Sequence, residues 1–306
     1  MTENAKNLIS CYIMGGLGNQ LFQIFTTIAT AINHDKMFIF AYNDISPSSV
    51  KRYTFWNSFL NDLIPYTNKN NNISTDIIKR FPVYRETQHT FSQIPDNKTH
   101  MLLFGYFQSY KYFEKHMNSI NNLIKLDEQR NSIVSEYSHY FKNNTNKCFS
   151  TISIHFRVGD YKNIQDCHPI MTYNYYINAI RSIFIKDLTI NNNIIFFYEK
   201  DDKDYVYQHF INPIKTYSFI DDPSILSDRK INFIDIDFDI DDWKQMLLMS
   251  NCNHNIIANS SFSWWGAYFN NNPFKTVCYP DKWFGPKLAD KNVSDMFPDN
   301  WTVIKT

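Results

Sequence analysis

Apolar residues crowd Leu8–Met14, give way to the glycine-rich Gly15–Gln20, and return at Leu21, Ile24, Phe25, Ile28 and Ile32. The first stretch reads as a buried strand and the second as a turn. The third, with spacings of three and four, predicts a helix over Leu21–Asn33. Met37–Tyr42 is strand-like again. Strand, loop, helix and strand in that order predict a parallel sheet with a crossover helix. Ser46–Arg80 shows no regular period, and Asn68–Asn72 reads as a surface loop. Met101–Phe107 predicts a strand, and Tyr112–Ile124 and Glu128–Tyr140 predict helices.

Lys142–Lys147, KNNTNK, is the most polar stretch near mid-chain and is taken as a domain boundary, giving domains 1–147 and 148–306. After it the alternation restarts. Strands are predicted at Cys148–Arg157, Ile194–Glu199, His254–Ala258 and Thr276–Tyr279. Helices are predicted at Thr172–Phe184, Asp241–Asn251 and Ser263–Asn270. The expected fold class is α/β, with two Rossmann-like domains and a ligand in the cleft between them, at the carboxyl ends of the strands. No internal repeat is visible.

A chain of 306 residues, 43% hydrophobic and 20% charged, is long enough for two such cores and is not a disordered protein. Its 30 basic residues balance its 30 acidic ones. Without basic blocks it lacks the electrostatic footprint of a nucleic-acid binder. The five cysteines, Cys11, Cys148, Cys167, Cys252 and Cys278, form no CxxC or finger spacing. They read as free thiols in a reducing compartment rather than as disulfides or zinc ligands. Leu8–Met14 is far shorter than the roughly 20 residues of a membrane span and runs into Gly15 and Gly16. It is a core strand rather than a signal peptide, and the expected location is the cytoplasm.

Four loops carry candidate chemistry. In Gly15-Gly16-Leu17-Gly18-Asn19-Gln20, between strand and helix, glycines let a ligand approach the backbone N–H groups closely. The spacing matches neither GxGxxG nor a P-loop, and a plain tight turn explains it equally well. In His155-Phe156-Arg157-Val158-Gly159-Asp160-Tyr161, strand alternation puts His155 and Arg157 on one face and Ile152, Ile154 and Phe156 on the other. Arg157 at the strand end suits a phosphate, since its fork of donors holds two oxygens. Its bland alternative is a salt bridge to Asp160. His155 is read as a base or as a phosphate-contacting residue. In Asn259-Ser260-Ser261-Phe262-Ser263-Trp264-Trp265-Gly266, Asn and Ser are expected to cap a helix whose N-terminus also holds anions. The acidic run Asp235–Asp242 alternates with Ile and Phe and reads as a half-buried strand rather than a metal site.

These blocks resemble a known family. GGLGNQLFQ (Gly15–Gln23), GYFQSYKYF (Gly105–Phe113), HFRVGDY (His155–Tyr161), ANSSFSWWGAY (Ala258–Tyr268) and DKWFG (Asp281–Gly285) are similar to the signature blocks of the α-1,2-fucosyltransferases, glycosyltransferase family 11. The matches keep the family's order and span Gly15 to about Trp301. The resemblance implies a GT-B-type fold and GDP-β-L-fucose as donor. It implies inverting transfer to a 2-hydroxyl, commonly of galactose, with no metal and no cofactor. It makes Arg157 the pyrophosphate-binding arginine, with His155 and Asp160 as partners. Asn259, Ser260, Ser261 and Ser263 would line the phosphates, and Gly16, Gly18, Asn19 and Gln20 would approach the donor from the N-terminal, acceptor-side domain. The family's Ser-Asp-Asp appears here as Lys200-Asp201-Asp202. The acids Asp201 and Asp202 remain for the donor, and the serine does not.

The chemistry agrees with that implication. Breaking a sugar–phosphate bond leaves growing negative charge on a diphosphate, which Arg157 and a helix N-terminus can neutralise in place of a cation. The proton of the acceptor hydroxyl must go to Asp160, His155 or an acid of the acceptor domain. Three rivals stay open at this stage: transfer to another acceptor, including protein O-fucosylation; a silent sugar- or nucleotide-binding protein; and a metal-dependent transferase using the acidic run.

Overall fold

The computed structural model describes residues 7–43, 45–46, 52–141 and 149–306. The chain forms two compact units. One comprises Met1–Glu128 and Lys291–Pro298, the other Gln129–Asp290 and Asp299–Thr306. The KNNTNK run, where the sequence suggests the boundary, lies outside the described residues. The division falls earlier, inside the helix Leu126–Glu136. The cause is packing. Arg130 is buried and donates to the Ser250 hydroxyl and carbonyl and to Asn271, and Glu136 pairs with Lys244 at 2.8 Å. Polarity marks where a chain is exposed, not where its contacts change partner. Residues 291–298 return to the first unit, where Ser109 donates to the Asp295 carbonyl at 2.7 Å.

The first unit is built on four parallel strands, β1 (Leu8–Cys11), β2 (Met37–Phe38), β5 (Val83–Arg85) and β6 (Met101–Phe104), in the order β2-β1-β6-β5. A separate antiparallel pair, β3 (Ile45–Ser46) and β4 (Arg52–Tyr53), lies in the stretch without a period. The helix Leu17–Asn33 buries Leu21, Ile24, Phe25 and Ile28 completely, as their spacing predicts, while Ile32 of the same set is 40% exposed and Phe22, outside it, is buried. The second expected strand is shorter than its apolar run, and Tyr112–Ile124 is two 3-10 turns followed by the helix Met117–Leu123.

The second unit is a six-stranded, wholly parallel sheet. Its strands are β7 (Phe149–His155), β8 (Asn191–Phe197), β9 (Lys230–Asp235), β10 (His254–Ile256), β11 (Val277–Pro280) and β12 (Thr302–Ile304). Their order is β12-β11-β10-β7-β8-β9. The chain therefore builds outward from β7 to one edge, then returns to build from β10 to the other. Ile152, Ile154 and Phe156 are buried on one face with Tyr175, Tyr176, Ile180 and Phe196. Each such side chain contributes about 1.5–3 kcal/mol by leaving water.

The acidic run departs from its expected form. Only Asp235 lies in a strand; Asp237 accepts the N–H of Asp239 in a turn, and Asp242 opens the helix Asp242–Ser250. The alternation puts Ile236 and Ile240 inside, but from a turn. Cys11, Cys167, Cys252 and Cys278 are free thiols, and Cys148 lies outside the described residues. Among the described residues, no helix is long and apolar enough to cross a membrane.

Candidate active site

In the second unit, β7 and β10 lie side by side, with Ile152 opposite His254 and Ile154 opposite Ile256. They are the pair between which the direction of building reverses. In open parallel sheets the ligand crevice lies outside the carboxyl ends of such a pair. HFRVGDY leaves the end of β7, and ANSSFSWWGAY leaves the end of β10. The topology thus brings both blocks to one edge of one sheet.

Arg157 sits just past β7, and its fork is fully engaged. One arm donates to Asp160 at 2.5 Å and the other to Glu199. The guanidinium also lies 4.9 Å from the centre of the Tyr161 ring. Glu199 follows β8 as Arg157 follows β7, since His155 stands opposite Phe197. Asp160 and Glu199 are 52% and 58% exposed. An arginine held by two carboxylates that water reaches is charged, oriented and open to exchange for another anion.

The turn beneath Arg157 is fixed by Asp202. This buried carboxylate accepts the Gly159 N–H at 2.6 Å and the Lys162 ammonium at 2.8 Å. Gly159 has φ +34°, which favours glycine. Asp202 therefore shapes the arginine loop, whereas the resemblance gives it the donor. Asp201 is exposed.

Asn259 is also an organiser. It is buried, and its amide donates to the carbonyls of Pro169 and Trp283 at 2.9 and 3.1 Å. Its own carbonyl accepts the Tyr161 hydroxyl at 3.0 Å. The His168 ring stacks on Tyr161 with centroids 5.0 Å apart. Burial pushes the Tyr161 hydroxyl pKa up and the His168 pKa down.

His155 is 7% exposed, with a buried Nδ1 that has no partner. Burial and then the neighbouring Arg157 charge bring its pKa down to about 3, so the ring is neutral at physiological pH. The helix Ser261–Tyr268 begins earlier than the pattern predicts, with Ser260 at its N-cap. The expected side-chain cap is absent, because the Ser260 hydroxyl makes no bond to the helix N–H groups. Ser263 is buried and donates weakly to the Ser260 carbonyl at 3.4 Å. Ser261 opens the first turn. That turn therefore presents N–H donors without a side-chain cap at the positive end of the helix dipole.

The glycine loop belongs to the first unit. Gly15 has φ +79°, and a Cβ there would lie 2.6 Å from the Asn19 amide nitrogen. Gly16 differs. Its backbone is ordinary extended chain, and a Cβ there would meet nothing. Gly18 is buried in the first turn of the helix. Asn19 accepts from Gln108 at 2.8 Å. Gln20 is buried and donates to the carbonyls of Gly15 and Tyr53 at 3.0 and 2.8 Å, which makes it a brace of the loop.

Glu199, Lys162 and His168 escape the sequence reading. Glu199 had a signal: it ends a predicted strand, as Arg157 does, with the opposite charge. Among the described residues, no three His, Cys, Asp or Glu side chains gather to hold a metal. Asp235, first of the acidic run, accepts the hydroxyls of Tyr198 and Tyr207.

Comparison with known proteins adds to this geometry. The profile of glycosyl transferase family 11 matches residues 1–305. Over 324 residues the chain is 27% identical to an α-1,2-colitosyltransferase of Escherichia coli, covering 98% of this chain and 99% of that protein. Over 202 residues it is 32% identical to the O-antigen biosynthesis glycosyltransferase WbnK of Escherichia coli, covering 65% of this chain and 59% of that protein. Among solved structures it resembles a point mutant of Arabidopsis thaliana FUT1 in complex with GDP, with a TM-score of 0.47 and 11% identity, covering 96% of this chain and 75% of that one.

Proposed function

The chain belongs to glycosyl transferase family 11 and is a glycosyltransferase, and on that premise we propose that it moves L-fucose from GDP-β-L-fucose to the 2-hydroxyl of a galactosyl acceptor, with inversion and without a metal ion. The observation that carries this reading is the meeting of Arg157 and the uncapped start of the helix Ser261–Tyr268 at the carboxyl ends of β7 and β10. A diphosphate seated there exchanges Glu199 and Asp160 for its own oxygens on the Arg157 fork. It takes further N–H bonds from the helix start. As the glycosidic carbon leaves, charge grows on the diphosphate, and donors already in place stabilise it. Each such donor contributes about 2.7–4 kcal/mol in comparable sites.

The roles of the remaining candidates follow from their positions. Ser260 and Ser261 stand where hydroxyl donors reach the same diphosphate. Asn259, Asp202 and Tyr161 hold the two blocks in register. His155, buried and neutral, adds no charge to compete with Arg157. Gly16 of the first unit leaves room for a ligand at its backbone.

A second donor is favoured by the relative that covers nearly the whole chain, an α-1,2-colitosyltransferase. Colitose is L-fucose without its 3-hydroxyl, so the two donors differ by one polar group. The test is to incubate the protein with GDP-fucose or GDP-colitose and a panel of β-galactosides, and to measure GDP release and the linkage of the product. Transfer of fucose to a 2-hydroxyl is the expected result. Preference for GDP-colitose would reassign the donor, and no transfer from either would remove the proposal.

A further inference from the structure

His168 stands beside the arginine site and has no part in the transfer as proposed. Its ring stacks on Tyr161, with centroids 5.0 Å apart and planes 24° from parallel. It also meets the Phe284 ring at 5.6 Å. Phe284, His168, Tyr161 and Arg157 thus form a chain of contacts that ends on the guanidinium. All four belong to the second unit. The loop that carries the ring is fixed from two sides. The N–H groups of Cys167 and His168 both bond the Ile164 carbonyl at 2.8 Å. The Cys167 carbonyl accepts the Gly285 N–H at 2.8 Å, and the Pro169 carbonyl accepts the Asn259 amide at 2.9 Å. A Cβ on Gly285 would lie 2.4 Å from the Asp166 carbonyl oxygen, so glycine lets the segment after β11 close on this loop.

Packing alone does not call for an imidazole. Its Nδ1 is buried with no hydrogen-bond partner, and a phenyl ring would make the same stacks without that cost. What the imidazole adds is a proton site at Nε2. His168 is half-buried where His155 is buried, so a charged ring at 168 keeps part of its hydration. Burial holds the His168 pKa below the ordinary histidine value, while the Asp160 charge raises it and the Arg157 charge lowers it. Those are the charges of the arginine loop that face the ring. Phe284 brings none, and Asp166 on the same loop as His168 is paired with Lys287 at 3.1 Å. With the site empty, the ring is neutral at physiological pH. A diphosphate on the Arg157 fork reverses the balance. It offsets the charge that disfavours an imidazolium, and it releases the Asp160 carboxylate from its ion pair.

We propose that His168 is a second cation of the donor site, neutral in the empty protein and protonated when the diphosphate of GDP-fucose seats on Arg157. The assignment rests on the function proposed above. One proton passes from solvent to Nε2 as the donor binds, and no other bond forms or breaks. The imidazolium then adds a positive charge beside Arg157, in the same unit, as negative charge grows on the leaving diphosphate. Binding that takes up a proton is favoured as pH falls between the bound and the free pKa.

GDP-fucose suits the test, because both ends of its diphosphate are esterified and the ligand itself does not titrate near neutrality. Its affinity for the wild type, by calorimetry without acceptor and at constant ionic strength, should rise about fivefold or more from pH 8 to pH 6. Titrations in two buffers of different ionisation heat should show uptake of a proton near the middle of that range. His168→Phe keeps the ring stacks and should lose both the rise and the uptake. Its deficit in affinity should grow toward pH 6 and shrink toward pH 8, as a packing defect would not. A wild-type affinity that stays flat from pH 8 to pH 6 would overturn the assignment, and that measurement needs no variant to fold. So would a His168→Phe that keeps the rise. A wild type that binds no GDP-fucose at any pH would instead remove the reading of the protein as a fucosyltransferase, and this assignment with it.

Discussion

Arg157 and Glu199 stand two residues beyond an opposed pair, His155 and Phe197, on neighbouring strands, and their side chains close into an ion pair. The pair occupies the group assigned to the diphosphate, so donor binding must open it. Exposed pairs of this kind stabilise by about 0.2–1 kcal/mol. Glu199→Gln should therefore tighten GDP binding by up to about fivefold. Calorimetry at 0.5 M NaCl, where long-range fields are screened, checks this. Weaker binding would make Glu199 a donor contact instead.

Arg157→Lys keeps the charge and loses the planar fork. Turnover should fall about 10²–10³-fold, as for loss of one transition-state donor. GDP affinity should fall by about 1.5–3 kcal/mol, the contribution of a hydrogen bond to a charged group. The melting temperature should barely change, because the partners of Arg157 are exposed carboxylates. Near-normal turnover would remove Arg157 from the mechanism.

Gly16→Ala separates fold from function. Its backbone suits any residue, and a Cβ meets no protein atom. The variant should stay within about 1 kcal/mol of wild-type stability, since alanine restricts the unfolded chain but is a poorer helix N-cap than glycine. Turnover should drop if a ligand fills that space. Unchanged kinetics would show that nothing approaches the loop there.

Acid should destabilise the protein in two stages. The folded His155 pKa is about 3, against an ordinary 6.5. Between those values the unfolded chain binds a proton that the folded chain does not, so stability falls as pH drops, by at most about 1.4 kcal/mol per pH unit. Asp187 joins at lower pH. Burial opposes its charge, but bonds from His254, Thr189 and Ser150 prevail and hold it below the ordinary aspartate value. Its contribution is full above that ordinary value and is lost below it. Melting temperatures from pH 7 to 3 should show the decline, and His155→Asn should flatten its upper part. An equal slope in that variant would assign the effect elsewhere.

Turnover should survive excess EDTA, because Arg157 and the helix start already supply the positive ends that a cation would bring. Loss of activity restored by Mn²⁺ or Mg²⁺ would reverse this.

Much of the second unit is legible in the sequence because its central strands are fully buried. Ile152, Ile154, Ile194 and Phe196 form runs that no helix period explains. The edge strands escape for the opposite reason. In β5, Val83 and Arg85 are exposed, and β9 is half-covered, so neither shows an apolar run. The arginine loop and the serine-rich helix start are visible as motifs, but their adjacency is a property of strand order. Roles of single side chains are harder to read. Asp202 and Gln20 have the chemistry to hold a ligand, and hydrogen bonds to their own chain occupy them instead.

The return of the chain from β9 to β10 makes everything between Arg157 and Asn259 an excursion. Both ends of that detour are pinned by the pairing of Ile154 with Ile256. Length can therefore be added beside the exposed pair Ser227 and Asp228, ahead of the buried Arg229 and of β9, without shifting the two halves of the site. The fold separates what natural variation is free to lengthen from what chemistry holds fixed.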